Sequence, residues 1–201
     1  MVIGLCGKYC AGKNEAAAVF AENGFRIVDV DRLGHEALET EREEIAARFG
    51  PGVVVPGGGV DRKKLGAAVF ADRRKLAELE SIVHPLMVER VKNIVSERGP
   101  RFVVNAALLF PMGLDALCDR IVIVRAPLLE RINRALTRDS LGIPAVLRRI
   151  WSQRKLIPQS SFLPADTIIV ENSGTRGSLR EKVSSDRKST RLNSSHRIRS
   201  R

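Results

Sequence analysis

Cysteine is scarce in this chain: Cys6, Cys10 and Cys118 are the only three. Their number and spacing suit neither an even disulfide framework nor a CxxC metal pair, which argues against a disulfide-stapled scaffold and a structural zinc site and leads to the expectation of a reducing compartment. Aromatic residues make up 4%, and Trp151 and Tyr9 stand too far apart to build a stacking platform for nucleic-acid bases. No run of about 18 uncharged apolar residues occurs, so no membrane-spanning helix is expected. The short apolar start Met1–Leu5 meets Gly7 and Lys8 too soon to read as a signal peptide. The expectation is a cytoplasmic protein that makes no membrane contact.

What is present fits a folded globular protein. The 201 residues are 44% hydrophobic and 28% charged, enough for one sizeable core or for an α/β core carrying a small insertion. The net charge of +11 raises the question of nucleic acid, but its distribution is uneven. From Ser184 to Arg201 six basic residues face only Asp186, which accounts for +5 and leaves +6 on the body. A moderately basic body serves a polyphosphate site as well as a nucleic-acid surface. The 184–201 tail is rich in serine, arginine and lysine without apolar periodicity, and disorder is expected there. The stretch Asp186–His196 resembles translated adapter or read-through sequence and receives no functional weight.

Along the body, Val2–Cys6 is a short apolar run bounded by glycine and reads as a buried parallel strand. A turn over Gly7–Gly12 follows, then an alanine-rich helix over Lys13–Glu22 that stops at Asn23-Gly24. Phe25–Val30 reads as a second strand, with Asp29 and Asp31 at its carboxyl end. Residues 32–98 are mainly helical in pattern, with Leu76, Leu79, Ile82 and Val83 at helical spacing. This stretch is interrupted by two glycine/proline clusters at 50–52 and 56–59, after which Asp61 reads as a helix N-cap. Strands are expected again at Phe102–Val104, Ile121–Val124 and Thr167–Val170. Between the last two lies a basic helical segment, Leu129–Lys155, broken at Gly142 and Pro144. Strands alternating with helices predict a parallel five-stranded sheet.

Gly7-Lys8-Tyr9-Cys10-Ala11-Gly12-Lys13-Asn14 fits G-x-x-x-x-G-K-[ST] at every defined position but the last. Gly7 and Gly12 permit a backbone that turns successive N–H groups onto phosphate oxygens, and Lys13 adds a cation at a helix N-terminus that already favours anions. All eight residues are therefore candidates for ATP binding. Asn14 lacks the usual hydroxyl, but its amide oxygen is the candidate ligand for Mg2+, directly or through water. Asp31 is the candidate acid that orients an acceptor hydroxyl and takes its proton, with a helix N-cap as the plainer alternative. Arg134, Arg138, Arg148, Arg149 and Arg154 could form a lid over the transferring phosphoryl group, Arg138 before the Gly142/Pro144 break most of all. His84 before Pro85 reads as packing or capping more readily than as a base.

These residues resemble the dephospho-CoA kinase family over Met1 to about Val183. The opening strand, the glycine loop and Asp29-Val30-Asp31 match in order. They are followed by Asp61-Arg62-Lys63-Lys64-Leu65 with Val69-Phe70, and by Ile82-Val83-His84-Pro85-Leu86. Ala107-Leu108-Leu109-Phe110 resembles a Pro-Leu-Leu-Phe-Glu element, Arg138-Asp139 the lid's Arg-Asp, and Asn172-Ser173-Gly174 an Asn-x-Gly after the final strand. The chain departs from the pattern at Asn14, Ala107 and Pro111, which concerns magnesium handling and acceptor placement.

The resemblance implies an α/β, P-loop NTPase-type parallel five-stranded sheet flanked by helices. Residues 1–31 and 99–183 would form the kinase core with a lid at about 138–160, and 32–98 a helical acceptor-binding insertion. It further implies transfer of the γ-phosphoryl group of ATP to the ribose 3′-hydroxyl of dephospho-CoA. Asp31, Lys13 and Arg138 would be catalytic, Asp31, His84 and Leu108 would meet the acceptor, and Asn172 would be ATP-binding, with the residues near it forming an adenine contact. Another small-molecule kinase would share the loop and differ in the insertion. A GTPase would need an Asn-Lys-x-Asp guanine signature, which is missing. A nucleic-acid-binding module would lose affinity steeply with salt, and no specific nucleic-acid partner is expected.

Overall fold

The computed structural model describes residues 1–55, 57–139, 142–153, 156–158, 163–164 and 166–173. The expected tail from Ser184, Gly174 of the Asn-x-Gly element, and Arg154 with Lys155 of the basic segment lie outside the described residues.

Five strands form one sheet: β1 (Val2–Gly7), β2 (Phe25–Asp29), β3 (Arg101–Asn105), β4 (Arg120–Arg125) and β5 (Thr167–Glu171), in the order β2-β3-β1-β4-β5. β1 pairs parallel with β3 and with β4, and β4 with β5. The burial pattern explains the order. β1, β3 and β4 are buried at nearly every position, as strands covered on both faces must be, whereas the edge strands β2 and β5 carry exposed positions.

α1 (Lys13–Glu22) covers one face, where Ala16, Ala17, Val19 and Phe20 pack with Ile3, Leu5, Val103, Val122 and Val124. Small alanines let this helix lie close to the sheet, and the Phe20 and Phe25 rings meet edge to face with centroids 5.4 Å apart. Truncating a fully buried strand residue such as Leu5 or Ile123 to Ala would cost about 2–5 kcal/mol.

The chain divides into two compact units, one built from Met1–Val28 with the chain from Arg98 onward, the other from Asp29–Glu97. The second is helical, with α2 (Val30–Thr40), α3 (Arg42–Phe49), α4 (Arg62–Phe70) and the long α5 (Arg73–Val95). Its core includes Leu33, Ala37, Ile45, Leu65, Val69, Val83, Met87 and Val91. Gly34 lets α2 approach α5, since a Cβ there would lie 3.2 Å from Met87 Cε.

The first glycine/proline cluster enters a single turn of 3-10 helix at Pro51–Val53, and Val54 then bridges Val60 in antiparallel fashion. The intervening loop is thereby closed by Val55 N–H donating to Gly59 O at 2.9 Å. Pro85 falls inside α5, at an exposed position.

Most strands run a residue or so past the expected bounds, but after the second strand the helix begins earlier than expected. The second strand ends at Asp29, and Val30 already belongs to α2. The Asp29 carboxylate accepts from Arg32 N–H at 3.2 Å, which caps the helix and starts it before the apolar run ends. The N-cap considered for Asp31 is thus Asp29, and Asp31 lies in the first turn of α2.

Candidate active site

The order of the strands creates the site. The chain leaves β1 toward one edge of the sheet and β3 toward the other, and ligands of open α/β sheets bind where the connections diverge. The loop after β1 is Lys8–Gly12. Gly7 sits where a Cβ would lie 2.8 Å from Val124 O, so only glycine lets β1 end this close to β4. Ala11 N–H donates to Lys8 O at 2.9 Å, closing the turn, and Cys10 takes a positive φ of 58°, alone in this among the described non-glycine residues. Gly12, at φ 99°, is the N-cap of α1 and supplies no side-chain hydrogen bond to it. No side chain of the N-cap residue competes at the first turn of α1, whose dipole favours an anion.

Burial pushes the Cys6 thiol up to about 12 against the lowering influence of Lys13, so Cys6 is a neutral core group, not a nucleophile. Burial likewise raises the Cys10 thiol.

Two helices supply the arginines: α6 (Leu128–Asp139) and α7 (Ile143–Ser152), the latter with Pro144 in its first turn. They meet the loop at Tyr9. The Tyr9 hydroxyl donates to Asp139 Oδ2, and Tyr9 N–H donates to Gln153 Oε1 at 2.7 Å. Arg138 clasps Asp139 through Nε at 2.6 Å and Nη2 at 3.0 Å, and its guanidinium lies 5.4 Å from the Tyr9 ring centre. Arg149 reaches Asp139 Oδ2 at 3.4 Å and lies 5.7 Å from the same ring. The Arg138 hydrogen bond, then that from Tyr9, holds the Asp139 carboxyl down to about 2, so it is ionised throughout the neutral range.

Two residues carry the loop from beneath. Asn172, 2% exposed, donates its amide to Ala11 O at 2.9 Å, and its own carbonyl accepts from Arg134 Nη2 at 3.1 Å. Arg131, 6% exposed, donates Nε–H to Tyr9 O at 2.8 Å. Its Nη2 is buried without a hydrogen-bond partner among the described residues. Across the divergence point, Asn105 at the end of β3 donates to Asn14 Oδ1 at 3.4 Å.

Of the residues expected from sequence, the structure brings Tyr9, Ala11, Gly12, Arg138 and Asn172 into one bonded group around the loop. Lys8, Lys13 and Asn14 lie on the loop and the first turn of α1. Arg134 is engaged by Glu130 at 2.7 Å and by Asn172, and Arg148 is exposed on α7. Leu108 is half-buried in the turn after β3, where its carbonyl accepts from Met112 N–H at 3.0 Å. In the helical unit, Asp31 is exposed on α2. His84 is half-buried within α5, where burial shifts its imidazole below the usual value, against the opposing charge of Glu80.

Sequence reasoning missed Asn105, Arg131 and Gln153. A signal for Arg131 existed: it stands four residues before Ala135, on the buried stripe of an otherwise polar helix. For Asn105 and Gln153 none existed, because their partners lie 91 and 144 residues away.

The loop, its open helix and the surrounding arginines suit the binding of a nucleotide's phosphates, and comparison with known proteins gives the same answer. The family model for dephospho-CoA kinase matches residues 1–177. The curated dephospho-CoA kinase of Bacillus licheniformis is 35% identical over 182 residues, covering 87% of this chain and 89% of the relative. That of Anaeromyxobacter dehalogenans is 36% identical over 189 residues, covering 90% and 88%. A crystal structure of a Thermus thermophilus protein superposes with a TM-score of 0.79 at 30% identity, covering 94% of this chain and 97% of that one. With a family model spanning all of the described residues and relatives matched over most of their length, the chain belongs to the dephospho-CoA kinase family.

Proposed function

We infer that this chain transfers the γ-phosphoryl group of ATP to the ribose 3′-hydroxyl of dephospho-CoA, giving coenzyme A and ADP. The observation that carries the phosphate half of this reading is the glycine loop that opens onto an uncapped α1. Membership of the family carries the acceptor.

In this reading Gly7, Lys8, Tyr9, Cys10, Ala11, Gly12, Lys13 and Asn14 wrap the ATP phosphates, with Lys13 neutralising the β- and γ-phosphates. Arg138 stabilises charge on the phosphoryl group in flight, and Asp139 with Tyr9 holds its guanidinium in place. Asp31 accepts the proton of the 3′-hydroxyl as its oxygen bonds to phosphorus and the bond to the ADP oxygen breaks. His84 and Leu108 are assigned to the acceptor on the family resemblance.

Magnesium accompanies ATP in such reactions and neutralises charge on its phosphates. It keeps most of its ligands as water and phosphate oxygen, so one or two hard protein oxygens suffice. The amide oxygen of Asn14, oriented by Asn105, fits that requirement. The cytoplasm is the proposed location, consistent with reduced cysteines and with the absence of any helix among the described residues long and apolar enough to cross a membrane.

The test is to incubate the full chain with magnesium, ATP and dephospho-CoA and to follow coenzyme A and ADP beside Lys13→Ala. Equal amounts of both products, lost in the variant, are expected. Nucleotide binding without coenzyme A would sink the acceptor assignment, and an absence of nucleotide binding would sink the loop assignment.

A further inference from the structure

Asn172 is the first residue past β5, and the sheet register decides where it stands. Gly7 pairs with Val124 and Val124 with Val170, so the ends of β1, β4 and β5 lie side by side. Asn172 N–H then donates to Arg125 O at 2.6 Å, which extends the β4–β5 ladder by one more bond and delivers the side chain under the loop. There its amide meets Ala11 O at 2.9 Å. The fit leaves no spare volume: a Cβ built on Gly12 would collide with Asn172 Nδ2. Arg134 fixes the same residue from the other side through its carbonyl. A side chain 2% exposed, with its amide N–H group spent on a backbone oxygen, is poorly suited to reading a nucleotide base.

We propose that Asn172 is a positioning residue for the phosphate loop, acting through Ala11, and that it does not recognise adenine. The physical link is the planar trans peptide between Ala11 and Gly12. Its C=O and N–H point in opposite directions, so holding Ala11 O down on Asn172 aims the Gly12 N–H away from Asn172. With Gly12 at φ 99°, this N–H joins those of the first turn of α1 as a donor to phosphate. Asn172 thereby sets the orientation of a donor that it never touches. The inference rests on the ATP site proposed above and changes the part Asn172 plays in it.

Titration of the full chain with ADP and with base-free tripolyphosphate separates the two roles, using wild type, Asn172→Ala and Asn172→Asp. A positioning residue predicts that Asn172→Ala weakens both ligands by the same factor, about tenfold, as for the loss of one buried hydrogen bond. Asn172→Asp adds a readout internal to a single folded protein. Its carboxylate repels Ala11 O at about pH 8; burial against that oxygen raises the carboxyl above the ordinary pKa of about 3.9, so acidification toward about pH 5 populates the protonated form, which donates to it. Affinity for both ligands, taken relative to wild type at each pH, should therefore recover on acidification. Weakening confined to ADP overturns the inference in favour of a base contact, as does unchanged tripolyphosphate affinity in folded Asn172→Ala. An Asn172→Asp variant with no pH recovery overturns it as well. A wild-type chain that binds neither ligand fails the ATP-site reading itself, and this inference with it.

Discussion

The two units of the molecule treat their helix ends in opposite ways. In the helical unit, three of the four helices begin under a carboxylate: Asp29 caps α2, Asp61 caps α4 and Asp72 caps α5. Each satisfies one or two N–H groups with its own side chain, Asp61 taking both Lys63 and Lys64 N–H at 3.1 and 3.0 Å. In the nucleotide-binding unit, α1 begins at Gly12 with no side-chain cap. The buried polar residues divide the same way: Asn105, Arg131 and Asn172 all belong to the nucleotide-binding unit. In the helical unit α2, α4 and α5 thus close their first turns with a side chain, and α3 alone among its four described α-helices does not. α1 lacks such a cap, and neighbours hold the loop before it in shape: Asn172 on Ala11 and Arg131 on Tyr9.

That contrast can be broken first at the phosphate site. Lys13→Ala should lower kcat/KM for coenzyme A formation by about a thousandfold, the upper range for removing one stabilising donor. The melting temperature should stay close to wild type, because Lys13 is half-buried at the start of α1 and not part of the apolar core. Asp31→Asn comes next, with a fall in kcat of about a hundredfold, the lower range for losing a general base. Affinity for ADP should be unaffected, and calorimetry beside steady-state rates checks both halves.

On the other side of the contrast, Asp72→Ala should destabilise the chain by about 1 kcal/mol, the usual value of an N-cap. Denaturant midpoints measure that loss, and coenzyme A formation below the transition should be unchanged. If a capping variant instead lowered activity as Lys13→Ala does, the division of labour between the two kinds of helix end would be wrong.

The smallest effect expected is on pH. Burial depresses the His84 imidazole below its ordinary 6.5. Below that pH the unfolded chain binds a proton more readily than the folded one, so stability should decline as pH falls through and below 6.5. His84→Gln should flatten this part of the profile, which thermal melting at a series of pH values would record.

Much of this was legible in the chain because the signals are local. Apolar runs such as Val2–Cys6 and Ile121–Val124 are strands because both faces are covered, and that requirement is written in consecutive residues. The glycine loop is legible for the same reason, since Gly7, Gly12 and Lys13 act through their own backbone and charge. The end of β2 was less so: Val30 is apolar enough to extend the strand, but the carboxylate of Asp29 starts the helix first. The supports of the loop were hidden altogether. Nothing near Asn172 in sequence reveals that it will lie under Ala11, and nothing near Gln153 reveals a bond to Tyr9 N–H.

The sequence by itself determined the phosphate loop, the alternation of strand and helix and the helical stretch between β2 and β3, because each depends on spacing within a few residues. Only the tertiary structure decided which side chains hold that loop. Asn172, Arg131, Asn105 and Gln153 reach it through strand order and helix docking. A hydrogen bond to a backbone group asks for a donor at the right place, and place is a property of the packed sheet, with no counterpart in local residue spacing.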